Sequence, residues 1–216
     1  MKVTAPLALG AAAALSLVSA TAAQAAHDDN PSPKVASYSY SMDPVQAASV
    51  PNSQASGTTR VKKLPNGKVQ VKVTATGLMP NAPHAMHLHG VDGPATDQGC
   101  PGPSADTDGD GYVTVVEGVP FYGSILTSLT TSGDVSPSSA LDLDRMAVAD
   151  ANGTLEYSRT FSQGSAMANA DTVQVVVHGI DINGNGAYDF DAGPSSLGAA
   201  FPLEATIPVL CGGIAN

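Results

Sequence analysis

Thr58 to Thr76 is the stretch that most narrows what this chain can become. Asn66-Gly67 stands between two strand-forming runs, Thr58 to Leu64 and Lys68 to Thr76, and in the second Val69, Val71 and Val73 alternate with Gln70, Lys72 and Thr74. A period of two sends the valines to one face and the polar side chains to the other, while Asn-Gly tolerates the positive φ that a tight hairpin turn requires. A half-buried antiparallel sheet follows, one face on a core and one in water. Lys34 to Met42 alternates loosely enough to be a first strand, and Val173 to Val177, a β-branched run bounded by Gly179, reads as a buried one. Phe121 to Thr130 and Ala140 to Ala149 contain strand-like segments, and Ser162 to Ala170 is a loop or a short helix. After the Asn152-Gly153 turn, Leu155, Tyr157 and Phe161 would line one face of a strand that also carries Arg159. Either Arg159 lies at a wet edge of that face or the register differs. The fold class is all-β.

The first 25 residues carry Lys2, an apolar stretch from Ala5 to Val18 and a small-residue end at Ala23-Gln24-Ala25, the pattern of a secretory signal peptide with cleavage before Ala26 or His27. The expected organisation is a signal over residues 1–25, an N-terminal segment with a first strand over 26–57, and an all-β domain over 58–216. His27 opens a polar, proline-punctuated tail, and a new amine beside its imidazole would be a possible copper site. No later run of about 18 apolar residues exists, so a membrane span is not expected. A net charge of −10 argues against nucleic acid and anionic membranes and for cations as partners. Cys100 and Cys211 are expected to pair in the oxidising space of an exported protein.

Three of the five histidines lie in Pro83 to Gly90. On a strand His87 and His89 project to one face, and His178 ends the valine run, so a site of three imidazoles is readily assembled. Imidazoles suit copper. A histidine on an apolar strand is also commonly a hydrogen-bonded core residue, and both readings stand at this stage.

Two acidic loops follow the histidine segments. In the first, Asp106, Asp108, Asp110, Tyr112 (through its carbonyl), Thr114 and Glu117 occupy positions 1, 3, 5, 7, 9 and 12 of an EF-hand-type calcium loop, with Gly111 at 6. The alternative is a solvated acidic surface loop. Its flanks do not read as helical, so the expectation is a calcium loop without the two helices. In the second, Asp181, Asn183, Asn185 and Asp189 suit positions 1, 3, 5 and 9, with Gly186 at 6. Position 12 is Ala192, so the bidentate carboxylate is missing unless Asp191 substitutes; the choice is between calcium and a plain Asn-Gly turn.

Val71-Lys72-Val73 through Gly77-Leu78, His84-Ala85-Met86-His87-Leu88-His89, Gly99-Cys100, Val175-Val176-Val177-His178 and Leu210-Cys211-Gly212 resemble, in the same order, the copper/zinc superoxide dismutase family. A chordin-type repeat domain matches less. The resemblance implies an eight-stranded Greek-key β-barrel or sandwich, antiparallel throughout, into which the acidic metal-binding loops are inserted. It implies copper ligands at His87, His89 and His178, a structural histidine at His84 and a disulfide between Cys100 and Cys211. The chain departs from the family in three places. No histidine lies between His89 and His178, so the bridging and zinc histidines have no counterpart, and Asp106 stands at the matching distance. Zinc is therefore not expected. No Arg or Lys lies between His178 and Cys211, so the arginine that guides superoxide is missing. The expected function is that of a secreted, superoxide dismutase-like copper protein with weak dismutation and no assigned catalytic residue. The alternatives are a copper-binding or copper-delivering protein without turnover, and a calcium-stabilised exported binding module whose histidines are relics.

Overall fold

The computed structural model describes residues 35–91 and 99–213; the expected signal segment and His27 lie outside the described residues. Eight strands form one curled antiparallel sheet: β1 (Ala36–Pro44), β2 (Ser56–Lys63), β3 (Val69–Thr76), β4 (Met86–Gly90), β5 (Ser124–Ser128), β6 (Leu155–Phe161), β7 (Gln174–His178) and β8 (Pro208–Gly212). Their order is β5-β4-β7-β8-β1-β2-β3-β6. The sheet folds into two four-stranded layers that meet at β1 and β8, through the pairs Asp43 with Cys211 and Pro44 with Leu210. The chain crosses between layers from β3 to β4, from β5 to β6 and from β6 to β7, the connections of a Greek key. This is the all-β architecture expected from the sequence.

The β2–β3 hairpin pairs Lys63 with Val69 and turns through Gly67 at φ 74°, as the Asn-Gly signal requires. Val61, Val69, Val71 and Val73 are fully buried against Leu155 and Phe161 of β6 and against Met86, Leu88, Val175, Val177 and Leu210 of the facing layer. Arg159 keeps the register read from the sequence: it pairs with Val71 and its guanidinium reaches the rim. There it donates to the Thr130 carbonyl at 2.8 Å and the Gly133 carbonyl at 2.5 Å.

What positions the histidines is the layer β5-β4-β7-β8, because both of its faces are covered. Along β4, Met86 and Leu88 enter the barrel core while His87 and His89 point the other way, and all four are buried. Along β7, Val175 and Val177 join the same core while Val176 packs outward with Val45, Val113, Tyr122 and Cys211. Long loops roof this outer face.

The structure corrects one expectation in those loops and narrows two others. The first acidic loop has an exiting helix, α1 (Val115–Tyr122), where none was expected: in a capping-box pairing the Glu117 carboxylate accepts the amide and the hydroxyl of its N-cap, Thr114. Phe121 and Tyr122 belong to its end, so the strand begins only at Ser124. Ala140 to Ala149 holds only a two-residue bridge, Ala147–Val148, against Pro83–His84. Two further helices are short, α2 (Gly164–Ala168) and α3 (Leu203–Thr206). No helix among the described residues is long and apolar enough to cross a membrane.

Cys100 and Cys211 form a disulfide across 111 residues, tying the roof of this layer to β8. Closing so long a loop removes about 4 to 5 kcal/mol of chain entropy from the unfolded state. The double variant Cys100→Ala, Cys211→Ala should therefore unfold at a markedly lower urea concentration, by about 2 to 5 kcal/mol. An unchanged midpoint would contradict this account of the bridge.

Candidate metal centre

His87 and His89 leave β4 on one face and His178 ends β7 beside them, each at most 3% exposed. Their ring centroids are separated by 5.4 Å (His87 to His89), 5.0 Å (His87 to His178) and 6.0 Å (His89 to His178). One nitrogen of each lies within 4.8 Å of the other two. The other nitrogen of each ring is engaged by a backbone carbonyl. His87 donates Nε2–H to Ala140 at 3.0 Å, His89 donates Nδ1–H to Gly123 at 3.0 Å, and His178 donates Nδ1–H to Thr206 at 2.7 Å. A carbonyl only accepts, so these bonds fix the tautomers and leave lone pairs on His87 Nδ1, His89 Nε2 and His178 Nε2. Those three atoms are buried without a hydrogen-bond partner. A buried acceptor without a partner costs about 1 to 3 kcal/mol, and three converging on one point fit a bound cation.

Burial holds the pKa of each ring down to about 3, and the neighbouring imidazole lowers it further against the pull of the carbonyl bond. At neutral pH all three are neutral donors. The cavity in front of them is about 90 Å³, lined by Ala85, Val115, Ile125, Ala140, Leu141 and Leu197, with no Lys or Arg among the described residues. His84 stands apart from this cluster. It is fully buried, with Nδ1 2.9 Å from the His178 carbonyl and 3.3 Å from Tyr188 Oη, and Nε2 3.2 Å from the Met79 carbonyl. Both nitrogens are occupied, and the ring braces the end of β7. Gly179 follows at φ 106°, where a Cβ would lie 2.3 Å from Tyr188 Oη.

In the first acidic loop the carboxylates of Asp106, Asp108 and Glu117 converge within 4.8 Å. Asp106 accepts from the amides of Gly109 (2.8 Å) and Gly111 (3.0 Å), Asp108 from Asp110 (3.1 Å), and Asp110 from Tyr112 (2.8 Å). Glu117 Oε1 accepts from the amides of Thr107 (2.7 Å) and Asp108 (3.3 Å), and Oε2 from that of Thr114 (2.9 Å). Partial burial raises the Glu117 pKa, but the bonds from Thr114 and Thr107 outweigh it and hold the carboxyl at about 2. Asp110 is raised, by burial first and then by the neighbouring acids.

In the second loop Asp181 accepts from Gly184 (2.8 Å), Asn185 (3.1 Å) and Gly186 (2.8 Å). Asn183 accepts from Asn185 (2.9 Å), and the side-chain amides of Asn183 and Asn185 turn to Asp189. The Asp191 amide donates to Asp189 at 2.8 Å. The residue in the place of the missing carboxylate is Glu204 of α3, fully buried, which no sequence pattern had singled out. Its Oε1 accepts from Ile182 (2.8 Å) and Asn183 (3.2 Å), and its Oε2 from Asp189 (3.0 Å). These are positions two, three and nine of the loop, the same three that Glu117 engages in the first. A single acid inside the apolar run Phe201 to Leu210 was the available signal.

No family model matches the chain, and no curated protein does. Among solved structures, 45 chains match. One is superoxide dismutase 5 of Candida albicans with copper(II), 14% identical over 82% of this chain and 91% of that one, at a TM-score of 0.38. A variant of the same enzyme is 13% identical over 81% and 89%, with a TM-score of 0.38. The clock protein EA4 is 16% identical over 81% and 92%, also at 0.38.

The histidine pKa values set a pH dependence for the metal-free protein. The imidazoles titrate near 6.5 when exposed and near 3 in the fold. Between these values the unfolded chain takes up protons that the native state refuses. Stability linked to the histidines is therefore complete above about pH 6.5 and falls as the pH drops towards 3. Glu117, held at about 2 against an ordinary value of 4.5, loses its contribution only as the pH falls from about 4.5 towards 2, so the interval from about pH 6.5 to 5 isolates the imidazoles. The urea midpoint of the metal-free protein should be lower at about pH 5 than at about pH 7.5, and a flat profile would mean that water reaches the rings.

Proposed function

We propose that this is an exported copper-binding protein of superoxide dismutase type, in which His87, His89 and His178 hold one copper ion and the acidic loops hold calcium. The three buried, unpartnered ring nitrogens carry this reading. Imidazole donors suit copper, which also stands highest among first-row divalent ions in affinity for nitrogen sites. Copper bound there supplies a one-electron redox couple. The chain contributes neutral donors, three carbonyls that hold the rings in register and raise their basicity, and an apolar wall that keeps water out.

The chain contributes little that would draw in superoxide. Among the described residues no Lys or Arg lines the cavity, and two guanidiniums are engaged by carbonyls elsewhere: Arg145 with those of Ser132 and Asp134, Arg159 with those of Thr130 and Gly133. Without a positive funnel an anion gains no steering, so binding or passing on copper, with slow dismutation at most, fits better than fast turnover. The disulfide between Cys100 and Cys211 supports export. In the first loop Asp106, Asp108, Asp110, Thr114 and Glu117, with the Tyr112 carbonyl, supply the hard oxygens that calcium takes. In the second, Glu204 joins Asp181, Asn183, Asn185 and Asp189.

Elemental analysis of the protein purified without added metal should find about one copper per chain, in line with a single three-imidazole site. His87→Ala and His178→Ala should each lose it. Copper bound with equal affinity by both variants would refute the assignment. Superoxide decay measured with the copper-loaded protein should be only slightly faster than in buffer; a rate near the diffusion limit would show that steering does not need the missing cation.

Calcium should raise the melting temperature, because an ion that binds only the folded state stabilises it, by about 2.7 kcal/mol at a hundredfold excess over its dissociation constant. Glu117→Gln should remove much of that response. A melting temperature indifferent to both calcium and chelator would leave the loops as acidic turns.

A further inference from the structure

The geometry points to Glu204 as a positioning residue for the histidine site, acting on His178 through the short helix that it anchors. This rests on the copper reading of that site. The helix α3 is a single turn, closed by the Ile207 amide on the Leu203 carbonyl at 2.9 Å. The carbonyls at the end of such a turn have no partner within it. That of Thr206 is taken by the His178 ring at 2.7 Å. Wherever α3 sits, the orientation of His178 and the direction of its bare Nε2 follow.

Glu204 fixes α3 from two sides. Its backbone carbonyl accepts the Ile180 amide at 2.9 Å, and its carboxylate accepts the amides of Ile182, Asn183 and Asp189. The segment that leaves His178 is thereby stitched to the turn that holds its ring. The carboxylate is fully buried, and its three recorded bonds are all to backbone amides. Removing it leaves three amides of the loop without their acceptor, and the loop must move to find others. The competing view is that Leu203, Ala205 and Ile207, all buried, hold α3 by packing alone. An acid placed in an apolar run at a cost to local consistency argues for a task beyond packing.

The arrangement recurs around the site. Gly123, whose carbonyl takes His89, caps the helix that Glu117 starts. Ala140, whose carbonyl takes His87, caps the turn Pro137–Ser139, and Asp134 accepts from both Ser136 (2.6 Å) and Ser139 (2.8 Å) beside it. Each ring is oriented by the end of a short turn, and each turn is anchored by one carboxylate. Glu204 is the buried member of the three.

The test compares the parent protein with Glu204→Ala and the near-isosteric Glu204→Gln, in one buffer of fixed calcium content. Copper affinity is measured by chelator competition and the copper(II) site by electron paramagnetic resonance. Melting of the metal-free proteins establishes that the variants fold, and the Gln variant carries the test if the Ala variant does not. Glu204→Ala should bind copper roughly tenfold more weakly and with an altered spectrum, the scale expected for an outer-shell partner. Glu204→Gln, which keeps one acceptor oxygen, should fall between. Folded variants with the parent's affinity and spectrum would overturn the assignment while leaving the copper reading intact. A parent that takes up no copper would overturn the reading itself, and the assignment with it.

Discussion

The structure depends on one layer of sheet being buried on both faces. Strand β4 alternates like any strand, yet its outward side chains are not in water: Met86 and Leu88 fill the barrel and His87 and His89 lie under the loops. Period two thus lets five residues build part of a core and two of the three imidazoles of the candidate metal site at once. The cost falls on the loops, which must roof an imidazole cluster without burying amides of their own unsatisfied. They do so with carboxylates. Glu117, Asp134, Asp181 and Glu204 each gather donors from their own loop or its neighbour, and each loop ends on the short turn or strand that touches the site.

This division of labour accounts for the chemistry at the centre. A helical turn ends with carbonyls that have no internal partner. Here such carbonyls meet ring N–H groups that also need one. Pairing them satisfies both and leaves only the inner nitrogens of the three rings bare. The tautomer of each histidine is therefore set by backbone rather than by side chains, and His87 presents Nδ1 where the other two present Nε2.

Much of this was legible in the sequence, and the losses have physical causes. The alternation of Val69, Val71 and Val73 and the Asn66-Gly67 turn specified a hairpin because both signals are local. The shared face of His87 and His89 followed from spacing alone. The helix α1 was missed although its capping box was in view: Thr114 and Glu117 were read as calcium ligands, and the valines and Pro120 after them are poor helix formers. In a loop of this kind the two roles fall on the same residues. Glu204 was missed because its partners lie 15 to 22 residues upstream, so only the fold brings them together. The carbonyls of Gly123, Ala140 and Thr206 leave no trace in sequence at all, since any residue carries one.

Charge is distributed so as to favour one class of visitor. The five basic residues of the β2–β3 hairpin, Arg60, Lys62, Lys63, Lys68 and Lys72, sit in the layer facing away from the histidines. The segments around the site carry the acids, among them Asp106, Asp108, Asp110, Glu117, Asp181 and Asp189. On a chain of net charge −10, charge of this distribution favours cations over anions near the loops and histidines. At the centre itself the lining beside the imidazoles is largely apolar, so a cation bound there would be held by the neutral imidazoles alone. Imidazoles suit copper, and the two proposed metals would then divide the work: hard oxygens outside would take the ion that keeps the roof in place, and nitrogens inside the one that the roof encloses.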